Sequence, residues 1–314
     1  MSHSGFGALS DRVYALYAEG RYGAALELLR DQGPAFPEWS ATTAFWTACL
    51  EAMDGDQDAA LLTLRHSLEE GHWWSPVTLE WDPDLDPIRS RPEFRAIVEE
   101  ADRRSREATS GQQPVLEILG PDAPTGAVLI ALHGGGGNAS EFTPHWRAAC
   151  DVGVTVAVPQ SPIRSTSDSP DRFAWPEPGV EDEVAATLDR VRAAVDVDPN
   201  RIALAGYSQG GRLAISMALR GEPVSIRGAL TIAAGIRDGE SMAGLISSAA
   251  ARGVRLWSLT GDHDFARPAL EDLHTRAEQD GLQTRLTVVH GLGHAFPDDF
   301  SSRLASAIEF ILAS

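Results

Sequence analysis

The sequence predicts an α/β protein: a mostly parallel sheet with helices on both faces, preceded by a small all-α domain. Three observations carry this. From about residue 115 onward, short aliphatic and β-branched runs alternate with helical segments, the pattern of successive βαβ units. Most of those runs are continuously apolar, as expected of strands buried on both faces. Before about residue 110, apolar residues instead recur at helical spacing, with no strand-like run. The division falls there, giving a helical domain over 1–110 and a sheet domain over 111–314.

In the helical domain, GRYGAAL at 20–26 and GDQDAAL at 55–61 repeat a Gly turn followed by an Ala-Ala-Leu helix start after 35 residues. The period is close to the 34 residues of a tetratricopeptide repeat, and the segment resembles two degenerate copies of that helix-turn-helix unit. The stretch from Trp81 to Phe94 looks like a capping segment, with Pro92 opening a last helix. Two repeats are too few to bury their own faces. Trp73, Trp74 and Trp81 are therefore expected to dock against the second domain, and a protein partner for the helical domain is the rival expectation. The polar stretch Ser105–Pro114 reads as the linker.

The second domain has candidate strands at 115–119, 127–134, 154–160, 201–208, 228–235, 255–262 and 285–291, with a clear helix over 180–195. In open sheets of this kind, ligands bind beyond the carboxyl ends of the strands. The polar signatures of the sequence cluster at those ends.

Composition narrows the chemistry. The chain is 43% apolar and 23% charged, an ordinary globular balance. The N-terminal MSHSGFGALSDRVYAL has no basic-then-apolar secretory pattern, and no apolar run approaches the roughly 20 residues of a membrane span, so a cytoplasmic protein without a membrane span is expected. All 26 basic residues are arginine, which excludes P-loop, Schiff-base and pyridoxal phosphate lysines. The net charge of −19 argues against a nucleic-acid partner. Cys49 and Cys150 lie too far apart in sequence to suggest a disulfide framework, and both read as small buried hydrophobes. No cofactor or metal is expected, because no His, Cys or carboxylate set has convincing ligand spacing.

AGYSQGG at 205–211 follows an apolar strand and precedes the helical GGRLAISMAL. A lone Gly-x-Ser-x-Gly is weak, but this strand-turn-helix setting is what a strained nucleophile elbow requires. Ser208 is then the candidate nucleophile, with Gly206 and Gly210 where a Cβ would clash. The backbone N–H of Gln209 is one candidate oxyanion donor. HGGGGN at 133–138 ends an earlier strand and supplies the other, Gly135 first and Gly136 second. TGDHD at 260–264 and GLGH at 291–294 end the next strands, so Asp264 and His294 complete the order Ser, Asp, His. Asp262 competes for the acid role; His263 and His290 read as ordinary loop histidines. In the loop after residue 160, Phe173 and Trp175 are candidates for an apolar substrate wall, and Arg164 and Arg172 read as solvated.

With these motifs in order, residues 115–314 resemble the α/β-hydrolase superfamily. GYSQGG, HGGGGN, GDHD and GHAFP look like its phospholipase/carboxylesterase branch of serine esterases. The resemblance implies a small-molecule ester substrate cleaved through an acyl-enzyme, and the absence of a large lid suits small, soluble or short-acyl esters. A thioesterase or acyltransferase with the same triad, and an interaction module with secondary hydrolase activity, remain alternatives. The helical domain departs from the minimal esterase, and the Ser208 nucleophile argues against the cysteine-dependent dienelactone hydrolases.

Overall fold

The computed structural model describes residues 3–110, 115–236 and 239–313. They form two compact units, one of Met1–Gln112 with Pro162–Ala174, the other of Gln113–Ser161 with Trp175–Ser314. The return of 162–174 to the helical unit is not part of the division at residue 110 drawn from sequence.

The helical unit holds α1 (His3–Ala18), α2 (Tyr22–Gln32), α3 (Ser40–Met53), α4 (Gln57–Glu69), the short α5 (Pro76–Trp81) and α6 (Asp86–Arg89), and α7 (Pro92–Thr109). Each copy of the recurring motif turns the chain at a glycine of positive φ, Gly20 at 70° and Gly55 at 95°, and then opens the second helix of a hairpin. Asp56 caps α4 by accepting from Ala59 N at 3.0 Å, an interaction that typically stabilises by about 1 kcal/mol. Pro92 opens α7, whose Phe94, Ile97, Ala101 and Ser105 fall on one buried face at intervals of three or four. Because α7 continues through Thr109, the expected linker is shorter than Ser105–Pro114; its residues 111–114 lie outside the described residues.

The tryptophan expectation needs correction. Trp74 is fully buried in the helical unit's own core, its indole N–H donating to Ala41 O at 2.9 Å, and Trp73 is buried in the same cluster. Trp81 stays partly exposed. Helices α5 to α7 and the returning segment complete the packing that two hairpins alone could not. That segment is strapped down by backbone: Ser75 N donates to Ser165 O at 2.8 Å and Ser167 N to Trp73 O at 3.0 Å. Asp168 adds bonds from Thr42 N and Thr42 Oγ1 at 2.9 and 3.0 Å. Arg164 is not solvated; its guanidinium lies 5.7 Å from the Trp73 ring and donates to Ser167 O.

The second unit carries β1 (Leu116–Leu119), β2 (Val128–Leu132), α8 (Ala139–Trp146), β3 (Thr155–Pro159), α9 (Val180–Ala194), β4 (Ile202–Tyr207), α10 (Gln209–Arg220), β5 (Gly228–Ile232), α11 (Ala243–Ala251), β6 (Arg255–Gly261), α12 (Arg267–Gln279), β7 (Gln283–Val289) and α13 (Phe300–Leu312). The seven strands form one sheet in the order β1-β3-β2-β4-β5-β6-β7, with β1 antiparallel to β3 and the other pairs parallel. Both faces are buried. Along β2, Val128, Ile130 and Leu132 face the cluster shared with α9 and α10, while Leu129 and Ala131 face the one shared with α8 and α13. A strand alternating between two cores is apolar at nearly every position, which is why the central strands read as continuous runs, whereas the edge strands β1 and β7 are only partly buried. Of the two cysteines, Cys49 is buried but Cys150 only half-buried, and both are free thiols.

Candidate active site

Three loops at the carboxyl ends of β4, β6 and β7 build the site. The first is the turn from β4 into α10. Ser208 sits there at φ 52° and ψ −117°, a conformation that costs a non-glycine residue about 1–3 kcal/mol. The surrounding packing enforces it. A Cβ on Gly206 would lie 2.4 Å from Gly210 O, and one on Gly210 would lie 2.2 Å from Leu132 O, so neither position admits a side chain. Gln209 begins α10, and its N–H, like the other N–H groups of a first turn, has no acceptor within the helix.

The second and third loops follow β6 and β7, adjacent parallel strands whose exits are stitched by Asp262 N to Val289 O and His263 N to Leu292 O, each 3.0 Å. Their side chains meet the first loop in a row. His294 Nε2 lies 2.8 Å from Ser208 Oγ, and His294 Nδ1 lies 2.9 Å from Asp264 Oδ1. Asp264 also accepts from Thr260 Oγ1 at 2.7 Å and Ala266 N at 3.0 Å. Burial alone would raise its pKa, but His294, the Ala266 N–H and the Thr260 hydroxyl outweigh that and hold the carboxyl below its ordinary value. The carboxylate is thus ionised and fixed in orientation at neutral pH.

Asp262 is engaged elsewhere. Its carboxylate pairs with His290 Nδ1 at 2.6 Å and accepts from Gly291 N at 2.8 Å, which braces the turn after β7. His263 and His290 are exposed.

The glycine loop lies against the elbow. A Cβ on Gly134 would fall 3.3 Å from Ser208 Cβ, and one on Gly135 would fall 3.4 Å from Gln209 Oε1. His133 anchors this loop from within the fold. Its Nε2 accepts from Ser161 N at 3.1 Å, which leaves Nδ1 to carry the proton and donate to Gly134 O at 2.7 Å. Burial pushes its pKa down to about 4 against a weaker upward pull from the Gly134 carbonyl, so the ring is neutral at pH 7.

Phe173 and Trp175 do not form a wall. Phe173 pairs with Arg164 inside the segment that belongs to the helical unit, and it is buried. Trp175 is fully buried in the sheet unit, with no face open to a substrate. It is a keystone instead. Its indole N–H donates to His133 O at 2.8 Å, its backbone N–H donates to Gln209 Oε1 at 3.1 Å, and its carbonyl accepts from Gln209 Nε2 at 3.1 Å. Gln209 Nε2 also donates to Glu177 Oε1 at 3.0 Å, and Glu177 pairs with Arg212 on α10. The Gln209 side chain thereby imitates a peptide unit, tying the elbow to the same Trp175 that ties down the glycine loop.

Sequence reasoning missed the Gln209 side chain, Glu177, Tyr207 and Phe265. Tyr207, immediately before Ser208, donates its hydroxyl to His294 O at 2.6 Å; burial, with the nearby Asp264 charge, pushes its pKa up to about 12. Phe265, immediately after Asp264, stacks on His294 with ring centroids 4.7 Å apart. Adjacency to the motif residues was the only signal in the sequence for these two. Away from this site, Cys49, Asp82 and Asp84 bring ligand atoms within 4.8 Å of one another in the helical unit. Burial raises the Cys49 thiol pKa well above its ordinary value, with the two carboxylates adding to the effect, and Tyr17 donates to Asp84 at 2.8 Å.

Comparison with known proteins agrees with this architecture. Residues 6–109 match the family described as "A/B hydrolase-like, N-terminal domain". Among solved structures, esterase PE8 aligns with 63% of this chain and 100% of its own at 18% identity, with a TM-score of 0.53. The second unit has the α/β-hydrolase fold. An uncharacterized protein from Bacillus cereus ATCC 10987 covers 99% of both chains at 20% identity and a TM-score of 0.54. In sequence, the chain is 35% identical over 104 residues to the "Putative esterase NocK" of Nocardia uniformis subsp. tsuyamanensis, a match spanning 31% of this chain and 30% of that protein.

Proposed function

We propose that the protein is a serine hydrolase of carboxylic esters, acting through an acyl-enzyme on small or short-acyl substrates. The observation that carries this reading is the hydrogen-bonded row from Ser208 through His294 to Asp264, built from three separate loops. His294 Nε2 takes the proton as Ser208 Oγ attacks the ester carbonyl, and Asp264 holds Nδ1 protonated and stabilises the imidazolium that forms. Negative charge on the carbonyl oxygen is met by backbone N–H groups of Gln209 and of the glycine loop near Gly135, supported by the positive end of α10. Collapse of the tetrahedral intermediate breaks the acyl–oxygen bond, and His294 returns its proton to the leaving alcohol. Water activated by the same imidazole then releases the acid.

The resemblance of the motifs to serine esterases and the esterase names borne by NocK and PE8 support the same reading. Turnover of a short nitrophenyl ester, together with labelling by a fluorophosphonate, tests it. Both are expected in the wild type and both are expected to be lost in Ser208→Ala. Equal labelling of wild type and variant would reject Ser208 as the nucleophile.

A further inference from the structure

Phe265 is 65% exposed, the largest exposure among the exposed large hydrophobic side chains of the described residues, and it sits on the proposed catalytic base. Its ring is inclined 29° to the His294 imidazole at a centroid separation of 4.7 Å. The ring's packing partner is the His294 imidazole, and most of its surface stays open to solvent. Its neighbours explain why the ring is held where it is. Asp264 before it is fixed by Thr260 and Ala266, and Ala266 after it is buried at the start of α12. The backbone on both sides is therefore pinned, and the ring projects beside His294.

We propose that the free face of Phe265 is a subsite for a planar aromatic group on the leaving-alcohol side of the ester. This rests on the serine-hydrolase reading above. The side of the substrate follows from the proton's path. The imidazolium Nε2–H must reach the leaving oxygen at hydrogen-bond distance, so the group bonded to that oxygen continues past the imidazole. The acyl carbon is bonded to Ser208 Oγ, and the oxyanion points to the glycine loop. Phe265, packed on the imidazole itself, thus borders the alcohol portion. An aryl or arylmethyl group there gains an offset-stacked or edge-to-face contact that a saturated ring of similar size lacks.

The experiment compares benzyl acetate with cyclohexylmethyl acetate, esters with the same acyl group and leaving groups of similar size. In the wild type, kcat/KM is expected to favour the benzyl ester by roughly two- to tenfold, the range that an aromatic pair contributes. Phe265→Leu keeps an apolar cover on His294 but removes the ring, and the preference is expected to fall to near unity. Phe265→Tyr keeps the ring and is expected to retain it. A wild-type ratio of one, or a ratio unchanged in Phe265→Leu, overturns the subsite. A second series with one alcohol and either a benzoyl or a cyclohexanecarbonyl group fixes the side: if Phe265→Leu alters only that acyl ratio, the leaving-group assignment is wrong. Absence of turnover by the wild type for every ester overturns the hydrolase reading and this subsite with it, an outcome distinct from turnover without aromatic preference.

Discussion

Two aspartate–histidine pairs stand on the loops after β6 and β7, their aspartates two residues apart and their histidines four. Asp262 pairs with His290 at 2.6 Å, and Asp264 pairs with His294 at 2.9 Å. On distance alone the first pair is the better candidate. The difference lies in what surrounds them. The His290 side chain is 98% exposed, while Asp262 keeps 20% of its side chain open to solvent. The Asp264 side chain is fully buried, held by two further donors, and its histidine has a second nitrogen directed at Ser208. A short contact between an acid and a base is common on protein surfaces. Here the far nitrogen of the histidine meets a strained serine and the carboxylate is buried and fixed, which is the arrangement the proposed proton transfer requires.

The most severe way to test that contrast is to remove its centre. Ser208→Ala leaves both pairs intact and is expected to lower ester turnover by roughly 10⁴-fold or more, since the remaining catalysis would come from binding and oxyanion stabilisation alone. Circular dichroism and the melting temperature are expected to stay near wild type, because Ala keeps the same backbone at φ 52° and only the hydrogen bond from the hydroxyl to His294 is lost. Retention of turnover would place the nucleophile elsewhere.

Exchanging the acids one at a time comes next in size. Asp264→Asn keeps the shape but no longer demands a protonated Nδ1, and an imidazole in the wrong tautomer cannot take the Ser208 proton. A fall in kcat of about 10⁴ is expected. Asp262→Asn is expected to change kcat by less than tenfold, through loosening of the turn at Gly291. The opposite ranking would transfer the acid role to Asp262 and leave the burial argument without force.

The keystone at Trp175 probes what the comparison omits, the alignment of the proposed oxyanion donors. Trp175→Phe removes the indole N–H and leaves the His133 carbonyl without that donor, a loss of about 1–3 kcal/mol of stability if no water replaces it. Because the substitution loosens the glycine loop rather than the substrate contact, kcat is expected to fall severalfold with KM little changed. A fall in melting temperature with kcat intact would make Trp175 a purely structural residue.

The juxtaposition of Ser208, Asp264 and His294 was legible in the sequence because each position is local: a glycine spacing, a strand end, a chain order. The central strands were legible for the same reason, since burial on both faces leaves an apolar run. The loop after β3 was not. Its residues 162–174 carry no period, and their position is set by backbone pairing with Trp73 and Ser75 some ninety residues away. The same holds for Trp175, read as a substrate wall from its chemistry alone. Its burial follows from Gln209 and His133, partners that no spacing within the loop encodes.

The smallest expected effect belongs to His290. Its imidazole reaches Asp262 across the turn after β7, but nothing in the pair faces Ser208. His290→Ala is therefore expected to leave kcat/KM within about twofold of wild type, the size of an ordinary surface substitution. The pair's trace is in stability instead. The Asp262 carboxyl is held below its ordinary pKa; burial opposes this, and the bonds from His290 and Gly291 outweigh it. A carboxyl depressed in the folded state contributes stability above its unfolded pKa, and loses it as pH falls through the lower folded value. The contribution is therefore present at pH 7 and fades on acidification below about 4. Melting temperatures of wild type and His290→Ala should differ slightly at pH 7, with the gap narrowing toward pH 3 and with added salt. A tenfold loss of turnover in His290→Ala would erase the distinction between the two pairs and give the exposed histidine a part in the proton's path.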